Sequence, residues 1–226
     1  LKDFSKHLRK KGWFEKTAIS MDERPMEAMR EAIKVIKQAD PEFKITLAGN
    51  YHPEIQQDLY YLSIPYGNLF PEDVKKEREK KGQISTVYTC CAEAFPNTFT
   101  FSEPAEAAWT MLHAVAGGYD GYLRWAVNSW TLDPLRDSRF RTWAAGDTYS
   151  IYPGPRSSIR FERFIEGLQD CEKIHVLREE LQSKGNKAKL DKLNKLISRF
   201  TPEGLSETQQ DPSDMVREIH SLLNNM

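Results

Sequence analysis

The chain has 226 residues, 39% of them apolar and 29% charged, with a net charge of −1. That length suits one domain or a domain with an appendage, and the balance is that of a chain with a packed core rather than a disordered one. Interleaved charges leave no basic stripe for nucleic acid, and no run of about 18 apolar residues exists to span a membrane.

Leu1, Phe4 and Leu8 fall at helical spacing before Gly12, which reads as a helix closed by a glycine cap. Thr17–Met21 reads as a strand. A helix opens at Pro25, buries Met29, Ala32, Ile33 and Ile36, and stops at Asp40-Pro41. The rhythm then repeats: strand Lys44–Ala48, short helix Pro53–Leu59, strand Tyr61–Ile64, charged helix Pro71–Lys81, strand Ile84–Thr89, helix Glu103–Ala116, strand Gly121–Ala126. Strand–helix alternation with short links predicts a parallel sheet with helices outside it.

Beyond residue 130 the texture changes. Pro, Asp, Arg and Gly crowd residues 131–156, with a hairpin expected at Tyr149–Gly154. A helix starts at Ser157 or Ser158 and runs to Glu172 or further. Residues 174–200 are helical and broken at Gly185-Asn186. Thr201–Asp211 reads as a mobile loop. From Pro212 a last amphipathic helix carries Met215, Val216, Ile219 and Leu223. Three cysteines, Cys90, Cys91 and Cys171, are too few for a disulfide framework and read as buried free thiols; none has partners at zinc-ligand spacing. The charge run Glu72–Lys81 reads as a solvated helix face.

The segment richest in chemistry is Met21-Asp22-Glu23-Arg24-Pro25. A strand ends and a helix begins there, so Asp22 and Glu23 fall at the C-terminal edge of a parallel sheet, where sites of such folds lie. Two acids at one strand end can divide labour, one protonating a leaving alcohol and one staying ionised. Acids in that position also cap helices and meet their dipoles.

Further blocks carry a resemblance. They are Val87-Tyr88-Thr89-Cys90 with Phe95-Pro96-Asn97, then Gly121-Tyr122-Leu123-Arg124-Trp125-Ala126-Val127-Asn128-Ser129-Trp130. Gly146-Asp147-Thr148, Tyr152-Pro153-Gly154 and Ser158-Ile159-Arg160-Phe161-Glu162 follow. With the acid pair, these blocks resemble glycoside hydrolase family 123, β-N-acetylgalactosaminidases that act by substrate assistance. In that family the acid pair ends the fourth barrel strand. The resemblance therefore implies a (β/α)8 TIM-barrel type of α/β fold of which this chain supplies strands four to eight, plus C-terminal helices. Residues 1–173 would be the C-terminal part of the catalytic barrel and 174–226 a helical extension, with the N-terminal barrel half expected upstream of Leu1. Around Gly167 the family pattern ends in Asp-Tyr-Glu, whereas this chain has Asp170-Cys171-Glu172.

The implied chemistry uses no cofactor and no metal. The substrate's 2-acetamido oxygen attacks the anomeric carbon, Glu23 protonates the leaving oxygen and later activates water, and Asp22 supports the acetamido N–H. Asn50, Tyr66, Tyr88, Trp125, Asn128 and Trp130 lie at strand ends and are the candidate substrate-binding residues. His113 reads as structural, His52 as a loop residue, and Arg156, Arg160 and Glu162 as supports of the barrel's C-terminal helix. A glycan is the expected partner. The resemblance implies an extracytoplasmic location, although no signal-peptide pattern opens the chain. Two alternatives compete: a non-catalytic glycan-binding or structural barrel remnant, and a carboxylate-pair hydrolase of other specificity.

Overall fold

A computed structural model describes residues 1–140 and 142–226. The fold is α/β. Five strands, β1 (Ala18–Asp22), β2 (Lys44–Ala48), β3 (Tyr61–Pro65), β4 (Ile84–Thr89) and β5 (Gly121–Arg124), form one parallel sheet in chain order. The register pairs Ala18 with Lys44 through Asp22 with Ala48, and Thr46 with Tyr61 through Ala48 with Ser63. The helices are α1 (Lys2–Lys11), α2 (Met26–Ala39), α3 (Glu72–Lys80), α4 (Ala105–Ala116), α5 (Ile159–Ser183), α6 (Lys187–Ile197), α7 (Pro202–Thr208) and α8 (Pro212–Asn224). Among the described residues no helix is long and apolar enough to cross a membrane.

The chain divides into two compact units, Leu1–Val87 and Tyr88–Met226. In the first, α2 buries Met29, Ile33 and Ile36, the i, i+4, i+7 face its sequence predicts. β2 alternates in burial, with Ile45 and Leu47 enclosed. The Pro53–Leu59 helix shrinks to a single 3-10 turn, Gln56–Asp58, because Leu59 is already extended toward β3.

α3 departs from a purely solvated face. Arg78 is 1% exposed. Its guanidinium donates to Ser85 Oγ at 2.9 Å and to the carbonyls of Gln56, Leu59 and Ile84 at 3.0, 3.0 and 2.8 Å. These carbonyls end or begin segments around β3 and β4, where a ladder cannot satisfy them, and one arginine fork serves several at once.

In the second unit α4 is buried along most of its length. Trp109 packs edge-on against Phe95 and stacks on His113, and His113 Nδ1 donates to the Phe200 carbonyl at 2.8 Å. A carbonyl only accepts, so Nδ1 carries the proton and His113 is a core residue, as its place in a helix suggested. α4 and α5 approach backbone to backbone at Gly167: a Cβ there would lie 2.8 Å from Ala108 Cα. Ser158 caps α5, accepting from Phe161 N at 3.2 Å.

The structure differs from several expectations of the sequence. Thr201–Asp211 is not a loop throughout, since α7 fills Pro202–Thr208. Thr201 Oγ1 accepts from Gly204 N at 3.0 Å, and Pro202 occupies the first helical turn, a start signal present in the sequence. The hairpin of 149–154 is shifted. Tyr152 and Arg156 exchange backbone hydrogen bonds of 2.8 and 3.3 Å around Pro153-Gly154-Pro155, while Tyr149 bridges to Asn128. Apart from these, α5 runs as one continuous 25-residue helix. The thiols are free, but Cys91 is exposed and Cys90 and Cys171 are only half-buried.

Candidate active site

The acid pair lies where the strand pattern puts it. Asp22 is the last residue of β1, and Glu23 follows it. Pro25 at the head of α2 keeps the chain extended before the helix begins. The two carboxylates then part company. Asp22 is exposed and accepts from Arg24 Nη1 at 2.5 Å, and the same nitrogen donates to the Glu23 carbonyl at 2.9 Å. An ion pair this exposed contributes little to stability.

Glu23 turns inward and is held on both oxygens. Asn50 Nδ2 donates to Oε1 and Oε2 at 3.1 and 3.0 Å, and the Asn50 backbone N–H donates to Oε2 at 3.2 Å. His52 Nε2 lies 2.7 Å from Oε1. Asn68 Nδ2, in the turn after β3, donates to Asn50 Oδ1 at 2.5 Å. The carboxylate settles both amides: it only accepts, so the Asn50 NH2 faces Glu23, and Asn50 Oδ1 is left to accept from Asn68.

The arrangement needs a glycine beside it. A Cβ on Gly49 would come 2.7 Å from Glu23 Cβ and 2.9 Å from Oε2. The Glu23 side chain occupies the room that a side chain at position 49 would need. Burial pushes the Glu23 carboxyl up, but donation from His52 and from Asn50 outweighs it, and the group rests below the ordinary carboxylate value.

Asn50 is the one predicted substrate residue with a described hydrogen bond to Glu23. Tyr66 is half-buried in the turn that follows β3, in the same unit. Tyr88, Trp125, Asn128 and Trp130 belong to the second unit. There Tyr88 is a half-buried residue of β4. Trp125 and Trp130 are 43% and 41% exposed; Trp125 packs edge-on against Trp143, and Trp130 Nε1 donates to the Ile151 carbonyl at 2.7 Å. Asn128 is exposed and bridges to Tyr149.

Sequence reasoning missed His52, Asn68 and Gly49 as parts of the acid's setting. Each follows the end of β2 or β3, so the signal was the position after a parallel strand, which Asn50 and Tyr66 had already shown.

The motif blocks of the second unit converge on two arginines. Arg124, closing β5, donates to the Thr89 carbonyl at 2.9 Å, to Asn97 Oδ1 at 3.1 Å, and to the carbonyl and carboxylate of Asp147 at 2.7 and 2.6 Å. Both members of the Arg124–Asp147 pair are buried. Arg160, in the first turn of α5, donates to the carbonyls of Thr98 and Gly146. Conformational freedom matters at Gly146, where φ is +84° and a Cβ would meet Arg160 Nη1 at 2.6 Å. These residues hold loops to the sheet end, extending the supporting role read for Arg160.

Among the described residues one set of potential metal ligands converges: Glu166, Asp170 and His220. Its geometry is that of helix docking. His220 Nδ1 lies 3.2 Å from both Asp170 oxygens, and Arg163 is paired with Glu166. The larger surface grooves, between α6 and α8 and along the outer face of α5, contain none of the predicted site residues.

A carboxylate pair at a strand's C-terminal end lies at the edge of a parallel sheet where the sites of such folds are found. Residues 1–177 match the family "Glycoside hydrolase 123, catalytic domain". The chain belongs to glycoside hydrolase family 123. Among solved structures it is similar to a family 123 glycoside hydrolase from Clostridium perfringens studied for glycolipid glycan hydrolysis. The TM-score is 0.81 at 25% identity, over 99% of this chain and 44% of that one. The chain thus spans less than half the length of that relative. A search of the curated proteins finds no match.

Proposed function

We propose that this chain carries the acid pair of a glycosidase that releases terminal β-linked N-acetylgalactosamine by a substrate-assisted, retaining mechanism. The observation that carries the reading is the Glu23 carboxylate, fixed beside the C-terminal end of β1 by Asn50 and His52 in a chain of family 123. The acetamido oxygen attacks the anomeric carbon as the bond to the leaving oxygen breaks. Protonated Glu23 gives its proton to that oxygen, which leaves as the alcohol. Asp22 accepts from the acetamido N–H and balances the positive charge of the cyclic intermediate. Glu23, now a carboxylate, takes a proton from water as the water opens the ring, restoring the acid and the β configuration. Arg24 pairs with Oδ2 of Asp22, and the second oxygen of the carboxylate can accept from the acetamido N–H.

The remaining assignments are part of the same proposal. The five strands are strands four to eight of a (β/α)8 barrel, with residues 1–173 catalytic and 174–226 an extension. Support comes from the similarity to the Clostridium perfringens enzyme over nearly the whole chain and from the family match ending at 177. The first barrel half lies upstream. In the second unit Trp125 and Trp130 offer half-exposed rings for a sugar face, with Tyr88 and Asn128 as polar candidates, and in the first unit Tyr66 is a further polar candidate. Glycans like those borne by glycolipids are the substrate class, and the enzyme works outside the cytoplasm.

One observation favours a second reading, a glycan-binding module without hydrolysis: the resting Glu23 is more acidic than an ordinary carboxyl, opposite to the shift expected of a general acid. Variants separate the two. Glu23→Gln should lose about 10²–10⁴-fold on a substrate with a poor leaving group, the usual worth of general acid catalysis, and far less on an activated one. Asp22→Asn should slow both. Wild-type rates in both variants would remove the pair from the mechanism, and sugar binding without turnover by the unaltered full-length gene product would establish the second reading.

A further inference from the structure

The acid role proposed for Glu23 meets an obstacle in its own surroundings. The donors around its carboxylate, Asn50 N–H, Asn50 Nδ2 and His52 Nε2, all favour the ionised form. A general acid must nevertheless arrive at the leaving oxygen with a proton. Among these donors only His52 can supply one, because an amide does not give up its hydrogen near neutral pH and an imidazolium does.

The geometry is that of a proton-sharing pair. Nε2 and Oε1 are 2.7 Å apart, within the range of a charge-assisted bond. Both side chains are about one-quarter to one-third exposed, 26% for His52 and 31% for Glu23. The site is therefore reachable by substrate yet partly withdrawn from water. The other described groups facing Glu23 do not compete for the proton. From its own segment come Asp22 and Arg24, which pair with each other. From the loop after β2 comes neutral Asn50, and from the turn after β3, one step removed, neutral Asn68.

We propose that His52 is a positioning and proton-sharing residue for Glu23, and that the catalytic proton resides on the His52–Glu23 pair rather than on the carboxyl alone. In the resting protein the proton lies on His52 Nε2 and Glu23 is ionised. When a sugar covers the pair and excludes water, two opposite charges become costlier than two neutral groups, and the proton passes from Nε2 to Oε1. This leaves neutral imidazole and a protonated carboxyl, with no net charge change. Glu23 then protonates the leaving oxygen. After water attack, the proton taken up by Glu23 returns the pair to its starting state. Asn50, oriented by Asn68, keeps the carboxyl in line throughout.

The inference rests on the glycosidase reading, and the test keeps the two apart. The pH dependence of kcat/KM would be measured for the full-length gene product, His52→Gln and Glu23→Gln, on an alkyl and on an activated aryl β-N-acetylgalactosaminide. Gln at position 52 can still donate a hydrogen bond to Glu23 but has no acidic proton to give up at these pH values. The alkaline limb with the alkyl substrate should move to lower pH, because a carboxyl on its own loses its proton below the range in which an imidazole does. The activated substrate, needing little protonation, should keep its rate within a few-fold. A limb that stays in place in folded His52→Gln overturns the sharing role, as does a uniform loss on both substrates at every pH. Should Glu23→Gln hydrolyse the alkyl substrate normally, the acid reading itself fails, whatever His52 does.

A second measurement does not depend on the fold of the His52 variant. A low-field proton resonance of the Nε2–H···Oε1 bond should be present in the unaltered protein and absent in Glu23→Gln. Its absence from the unaltered protein, or its persistence in the variant, overturns the pair.

Discussion

Replacing Gly49 by alanine puts a methyl carbon 2.7 Å from Glu23 Cβ, 2.9 Å from Oε2 and 3.0 Å from Cδ. Carbon atoms rest at about 3.5–4.0 Å, so relief requires a displacement of about 1 Å. The Gly49 backbone is fixed by its hydrogen bond to the Ser63 carbonyl, so Glu23 must give way. Its bonds to Asn50 and His52 cannot follow a shift of that size unaltered. A misplacement of about 1 Å costs on the order of 10²-fold in rate, or about 2.7 kcal/mol of transition-state stabilisation. Overpacking costs about 1–3 kcal/mol of stability, against about 0.4–1 kcal/mol regained from the stiffer unfolded chain. Gly49→Ala should therefore fold, lose about 1–2 kcal/mol in urea unfolding, and lose about 10²-fold in kcat/KM on a chromogenic β-N-acetylgalactosaminide. A folded variant with unchanged kcat/KM would refute the reasoning that the glycine makes room for the acid.

Arg78→Met should destabilise the first unit by about 3–5 kcal/mol, measured by chemical denaturation, because it strips donors from carbonyls buried around β3 and β4; a change below about 1 kcal/mol would mean that water replaces the guanidinium. Glu23 and Glu106 should tilt the stability–pH profile in opposite directions. The folded-state value of Glu23 is depressed, so its contribution is present above the unfolded value and is lost as pH falls through the folded one. Glu106 is raised by burial, so its contribution is present below the unfolded value and is lost as pH rises through the folded one. Substituting each by Gln and repeating the profile should remove the corresponding slope. Thiol labelling at pH 8 should modify Cys91 first: burial pushes Cys90 up to about 11 and Cys171 up to about 12, whereas Cys91 is exposed. Equal labelling of all the thiols in the folded chain would contradict this.

Much of the fold was legible because its elements are locally encoded. The apolar stripe of α2 at Met29, Ile33 and Ile36 and the alternation of β2 at Ile45 and Leu47 are written at helix and strand periods. Asp22 and Glu23 were legible because a strand-to-helix junction fixes an edge of a parallel sheet. What the two acids touch was not. Glu23 and His52 are 29 residues apart and meet because β1 and β2 pair in a particular register, which no local pattern states. Arg78 was hidden for a related reason: amid alternating charges, nothing local marks the one whose fork fits a set of carbonyls across β3 and β4. α7 is a different case. Thr201-Pro202 is a start signal, and the polar residues around it masked the helix.

The central claim is that the substrate itself supplies the nucleophile while Glu23 supplies the proton. The most direct measurement compares the hydrolysis of paired aryl β-galactosides, with and without the 2-acetamido group, by the full-length gene product. The account predicts turnover of the N-acetylgalactosaminide and no measurable turnover of the plain galactoside, which lacks the internal nucleophile. Comparable rates on both would place the nucleophile on the enzyme and contradict the account.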